Sequence, residues 1–166
     1  MPVKALVTAV LARPVTLWRA LVERMQGERL PSGLPVEIAG EERLARFLKH
    51  KKQFAATIGM VKYAAFLPSR LDGKTSVFRH TGDPAEELWT IGHRELGGEV
   101  TVYGAGIIVA SDIRRAGLDV SASEPPPRHA NIEGWPTEDD PDLTKAAQRE
   151  AAKALAERAV LLLRQR

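Results

Sequence analysis

Apolar residues recur at helical spacing near the start of the chain. Leu17 and Leu21 belong to a stripe with the 3.6-residue period of an amphipathic helix, which we expect over residues 14–26. A connector rich in proline and glycine follows this stripe. The pattern therefore predicts a helical N-terminal arm over residues 1–30 and a main domain over residues 36–166.

The first half of the main domain carries one helical pattern and two short runs typical of strands. Apolar residues between Glu41 and Phe54 lie three and four positions apart, which predicts a helix. Residues 58–67 and 75–79 have strand character, and the Asp72-Gly73 pair between them is a common turn signal. We therefore expect a β-hairpin to follow the helix.

The second half begins with a clear helix start. Asp83-Pro84-Ala85-Glu86 supplies an N-cap, a first-turn proline and a carboxylate that can complete a capping box. Residues 100–116 fit a strand or a helix, and we favour a helix over 106–116 with a short strand after it. A long C-terminal helix is expected over residues 141–163. Helices mixed with hairpin strands indicate a single compact α+β domain with an antiparallel sheet.

Composition narrows the function classes without choosing one. The chain has 166 residues, a formal net charge of +3 and no cysteine. A disulfide, a thiolate metal site and a cysteine nucleophile are therefore excluded, and we expect a cytoplasmic protein. No apolar run approaches the roughly 20 residues needed to cross a bilayer, so no membrane partner is expected.

Two Arg-His dipeptides are the main candidates for chemistry. Arg79-His80 ends a predicted strand, and Arg128-His129 lies in a segment that begins with three consecutive prolines. Two imidazoles can act as general base and general acid, while guanidinium groups stabilise a phosphate in the transition state. We therefore predict His80 and His129 as an acid–base pair for metal-independent phosphodiester cleavage, with Arg79 and Arg128 binding phosphate. The alternative is that the arginines are surface residues and the histidines are structural.

Further ligand contacts are predicted from the proline segment and from a basic cluster. Asn131 offers an amide, and Trp135 can stack on a base or anchor the loop to the core; we favour the anchor. Lys49, Lys51 and Lys52 are expected to attract a phosphate backbone, although a solvated helix face would show the same residues.

No cofactor or metal is expected. The four histidines lack a metal-ligand spacing, and Gly104-Ala105-Gly106 lacks the third glycine of a dinucleotide loop. The sequence thus favours a small protein that binds phosphate-bearing ligands, RNA, DNA or a nucleotide. The alternative is a non-catalytic protein–protein interaction module or accessory subunit that contacts its partner through the N-terminal arm.

Overall fold

The computed structural model describes residues 28–82 and 85–165. The chain divides into two compact units, Met1–Val36 and Glu37–Arg166. In the first unit the described residues form a turn in which Arg29 and Pro35 make an isolated antiparallel bridge. The predicted helix of the N-terminal arm lies outside the described residues, as do two residues of the predicted helix start at Asp83-Pro84.

The second unit contains helices and a large antiparallel sheet, which confirms the α+β class. The strands are β1 (Arg43–Leu48), β2 (Phe54–Ala55), β3 (Met60–Val61), β4 (Thr75–His80), β5 (Gly104–Val109), β6 (Asp119–Ala122), β7 (His129–Glu133) and β8 (Val160–Leu163). The α-helices are α1 (Ala85–Leu96), α2 (Ala110–Arg115) and α3 (Pro141–Arg158), and short 3₁₀ turns cover Lys51–Gln53, Ala56–Ile58 and Tyr63–Ala65.

In the described part of the chain, six strands form the main sheet in the order β6-β7-β4-β1-β5-β8, and all neighbours in it are antiparallel. Strands β2 and β3 form a separate antiparallel pair. The long C-terminal helix is present as α3, but it ends at Arg158; the last residues of the expected helix, Val160–Leu163, form β8 instead. The N-cap of α3 is Asp140, whose carboxylate accepts a hydrogen bond from the backbone N–H of Asp142 at 2.7 Å.

The sheet buries apolar residues on both faces. Leu44 and Leu48 of β1 join a core with residues of α2 and α3, and we call this side the α3 face. Ala45 and Phe47 point the other way and pack with Leu88 and other residues of α1, and we call this side the α1 face. Because neighbouring residues of a strand point to opposite faces, the side chains of β1 alternate between the α3 face and the α1 face.

Three predicted elements are wrong. The helix expected between Glu41 and Phe54 is β1 followed by a 3₁₀ turn, because a central strand covered on both faces carries a near-continuous apolar run. The predicted hairpin does not form, since β4 pairs with β1 and β7. Consecutive strands pair instead at β2 and β3, and at β6 and β7, which flank the proline segment. The helix expected over 106–116 begins only at Ala110, after β5.

Candidate functional site

The two residues of the first Arg-His pair lie on opposite faces of the sheet. Arg79 points to the α3 face and is only 1% exposed, and His80 points to the α1 face. The Arg79 guanidinium donates to both carboxylate oxygens of Glu42, through Nε to Oε1 and through Nη2 to Oε2, the latter at 2.8 Å. Arg79 is therefore held inside the molecule by a carboxylate of its own chain, and it is not brought together with His80.

His129, from the second pair, forms a chain of hydrogen bonds on the α1 face. Its Nε2 lies 2.7 Å from the Ser76 hydroxyl oxygen, and its Nδ1 lies 2.9 Å from the Ser123 carbonyl oxygen. Its ring and the Phe78 ring meet in a T-shaped, edge-on arrangement, with 5.3 Å between ring centroids. His80 is two residues beyond Phe78 on the same face, so both predicted catalytic histidines lie on one side of the sheet.

Asn131 lies on the same face, two residues beyond His129. It stands directly opposite Ser76 on β4 and opposite Ser121 on β6. The residue as a whole is 8% exposed, and no hydrogen bond of its amide is found within the described residues. Ser76, His129 and Asn131 together form what we call the His129 cluster.

Arg128 has a left-handed backbone conformation, with φ 64°. Its backbone N–H donates to Glu124 at 2.7 Å, and its Nη2 lies 3.0 Å from the Glu87 carboxylate of α1. The second guanidinium predicted to bind a ligand is therefore engaged in an ion pair on the α1 face.

Trp135 is buried in the core on the α3 face, where its indole N–H donates to the Ile132 carbonyl at 3.2 Å. This position is that of an anchor for the segment after β7.

The predicted basic cluster lies at the far end of β1 from His80. Lys51 and Lys52 are exposed on the 3₁₀ turn after β1, and Lys49 is half-buried. Burial, with a smaller contribution from the nearby Arg46 charge, lowers the pKa of Lys49. Because Arg43 at the start of β1 pairs with His80 on β4, the lysines after Leu48 stand at the opposite end of the sheet. The structure does not gather the lysines with the two histidines.

A recess of about 620 Å³ lies beside His80. Its floor is apolar and is contributed mainly by β5 and β8, through Ile107, Val109, Val160 and Leu162. Charged side chains line the rest: Arg43, Asp112 and Arg158. We call it the Arg43 recess.

The charged side chains of the Arg43 recess differ in their ion pairs. Asp112 accepts from Arg115 at 2.7 Å and lies 3.6 Å from Nε of Arg158. Arg43 is exposed and stands directly opposite His80 in the β1–β4 register, and no ion pair to it is found within the described residues. The recess thus presents one guanidinium without a carboxylate partner in this part of the chain, next to an imidazole and an apolar floor.

Sequence reasoning missed Ser76 and Arg158, and it placed Arg43 on a helix. Pairing of Arg43 with His80 could be found only by knowing that residues 43–48 form a strand beside β4. Ser76 and His129 are 53 positions apart and carry no local signal that joins them.

In residues 28–82 and 85–165 we find no group of three or more histidine, aspartate or glutamate side chains that could hold a metal ion. No helix in these residues is long and apolar enough to cross a membrane. Comparisons of the chain with protein-family models, with curated proteins and with solved structures find no match.

Proposed function

We propose that the protein binds a phosphate-bearing ligand in the Arg43 recess. One observation carries the proposal: the exposed Arg43 guanidinium has no carboxylate partner within the described residues and stands opposite His80 above an apolar floor. A guanidinium presents a fork of donors that matches two phosphate oxygens, so Arg43 would make the main charge-assisted contact.

The other residues of the recess determine what the ligand carries besides phosphate. His80 would add a hydrogen bond to the anion. Ile107 and Val160 offer apolar surface on which a base or another flat group can lie. A volume of about 620 Å³ falls within the range of small-molecule sites. These features favour a nucleotide, or the terminal nucleotide of an RNA or DNA strand.

Nucleic acid would use the distant lysines in a different way. Lys51 and Lys52 are exposed and would attract a phosphate backbone over long range. Because each phosphate contact releases counterions, the affinity for a longer strand should fall steeply with salt. A mononucleotide, which cannot reach from the recess to these lysines, should depend less on salt.

Phosphodiester cleavage by His80 and His129 stays a prediction. Both histidines lie on the α1 face, but both ring nitrogens of His129 already hydrogen-bond to Ser76 and Ser123. We therefore limit the proposed function to binding.

The test is the affinity for a fluorescently labelled oligonucleotide and for a mononucleotide, measured at low and at physiological salt. Losing a charge-assisted hydrogen bond of about 1.5–3 kcal/mol should weaken binding by roughly 10- to 150-fold in Arg43→Ala. Arg70→Ala is the matched control, because Arg70 is also an exposed guanidinium without an ion pair in the described residues. Equal affinities of wild type and Arg43→Ala, or no binding by the wild type at low salt, would remove the proposal.

An interaction module is the second candidate, and β8 favours it. This strand is one edge of the main sheet, and its Val160 and Leu163 side chains are 68% and 41% exposed. An apolar edge strand can pair with a strand of another chain, and a second copy of this chain is the simplest partner. Sedimentation velocity should then show a dimer for the wild type and a monomer for Leu163→Glu. A wild type that stays monomeric at high concentration would remove this candidate.

A further inference from the structure

Ser76 and His129 are arranged as a nucleophile and its general base. The Ser76 hydroxyl oxygen lies 2.7 Å from Nε2 of His129, within the reach expected for proton transfer between such groups. We propose that Ser76 is a catalytic nucleophile for carboxylic ester hydrolysis. This site is separate from the Arg43 recess, so either proposal can fail without the other.

The tautomer of His129 supports this assignment. A carbonyl oxygen can only accept, so the contact between Nδ1 and the Ser123 carbonyl places the proton of the neutral ring on Nδ1. Nε2 then carries a lone pair and faces the Ser76 hydroxyl, which is the donor in that contact. The backbone carbonyl of Ser123 thus plays the part of a group that orients the base.

Asn131 supplies a donor for the developing oxyanion. It stands directly opposite Ser76 on the neighbouring strand, where side chains of paired residues are about 5 Å apart at Cβ. Asn131 as a whole residue is 8% exposed, and no hydrogen bond of its amide is found within the described residues; because no fully buried side-chain nitrogen or oxygen there lacks a partner, the amide keeps some contact with solvent. An amide N–H that makes no hydrogen bond to the described residues and keeps some contact with solvent can donate to a substrate oxygen that gains negative charge.

The surroundings favour a neutral acyl group over a phosphate. Arg128, the arginine next to His129 in sequence, has an ion pair with Glu87 at 3.0 Å. Phe78 contributes an apolar ring beside the imidazole. The His129 cluster therefore offers polar donors with an apolar wall, whereas the Arg43 recess offers a guanidinium that has no ion pair within residues 28–82 and 85–165.

The reaction needs only water as its second reactant. The Ser76 oxygen attacks the ester carbonyl carbon while its proton passes to Nε2 of His129, and Asn131 donates to the oxyanion. The carbon–oxygen bond to the alcohol then breaks, and the alkoxide leaves with the proton from His129. Water attacks the acyl-serine by the same route, which releases the carboxylic acid and restores both side chains.

The test is covalent labelling of the full chain with a biotin-linked fluorophosphonate, followed by peptide mass spectrometry. The serine oxygen displaces fluoride from phosphorus, and His129 takes the proton. We expect one adduct, on Ser76, in the folded wild type. Ser76→Ala should lose it, and His129→Gln should slow labelling by about 100-fold or more, the usual contribution of a general base.

Ser121→Ala is the matched control, since Ser121 is a half-buried serine on the same face, opposite Asn131 and without an imidazole partner in the described residues. It should label like the wild type. Far-UV circular dichroism checks that each variant folds. If Ser76→Ala fails to fold, the proposal is tested by the position of the adduct in the wild type and by the rate of labelling in His129→Gln. An adduct elsewhere, labelling no faster than in denatured protein, or an unchanged rate in His129→Gln would overturn the proposal.

Discussion

Removing the carboxylate that faces Arg79 should destabilise the fold severely. The Arg79 side chain is 1% exposed, and it donates through two nitrogens to the two oxygens of Glu42. Glu42→Gln would keep the shape of that side chain but remove the negative charge that faces the buried guanidinium. Breaking a buried ion pair in this way costs about 3–5 kcal/mol. Because domains are typically stable by about 5–15 kcal/mol, this loss is a large share of the total.

The assay is urea unfolding followed by tryptophan fluorescence. Glu41→Gln is the control, since Glu41 is an exposed neighbour, and its effect should stay within about 0.5 kcal/mol. The double variant Glu42→Leu with Arg79→Met replaces both charges by apolar groups and should recover most of the loss. A loss below about 1 kcal/mol in Glu42→Gln would refute the conclusion that this pair is a buried structural element.

Two further predictions concern the sheet and its edges. A methyl group at Gly104 would lie 2.4 Å from the Leu162 carbonyl oxygen, so Gly104→Ala should lower the free energy of unfolding by at least about 1–3 kcal/mol. Gly98→Ala is the control and should not lower it in this way, because nothing lies within 4 Å of a methyl group at that position. Equal effects of the two substitutions in urea unfolding would contradict the close approach of β8 to β5. The hydrogen bond from Lys74 lowers the pKa of Glu133, so protonation is harder in the folded state. The stabilisation of the folded state by this hydrogen bond is therefore present above the ordinary glutamate pKa of about 4.3, and it is lost as the pH falls through the lower pKa that Glu133 has in the folded state. Urea midpoints between about pH 6 and pH 3 should fall more steeply for the wild type than for Glu133→Gln, and parallel curves would count against the interaction.

The fold class could be predicted from sequence because helix-start signals and short apolar runs typical of strands occur together along the chain. The α3 helix follows an acidic lead-in with a first-turn proline, and both signals act locally. The error at β1 has a physical cause: Leu44, Phe47 and Leu48 fit helical spacing and also fit a strand buried on both faces. Periodicity over so short a run does not separate the two.

The candidate sites depended on register, which the local sequence does not encode. Once residues 75–80 are known to form a strand, Arg79 and His80 must lie on opposite faces of the sheet, because neighbouring side chains of a strand alternate. Arg43 meets His80 only because β1 lies beside β4, and Ser76 meets His129 only because β7 lies on the other side of β4. Pairings between distant segments are set by the hydrophobic pattern of the whole sheet, so no single motif predicts them.

The most direct test of the proposed phosphate site is an NMR titration of isotope-labelled protein with a mononucleotide. We follow the Arg43 side-chain Nε–H signal and the backbone amides of residues lining the Arg43 recess. The account predicts that the signals of Arg43 and His80 shift together and saturate, while those of Lys51 and Lys52 do not move. Signals at Arg43 and His80 that stay fixed at high ligand concentration, or shifts confined to the lysines, would contradict it.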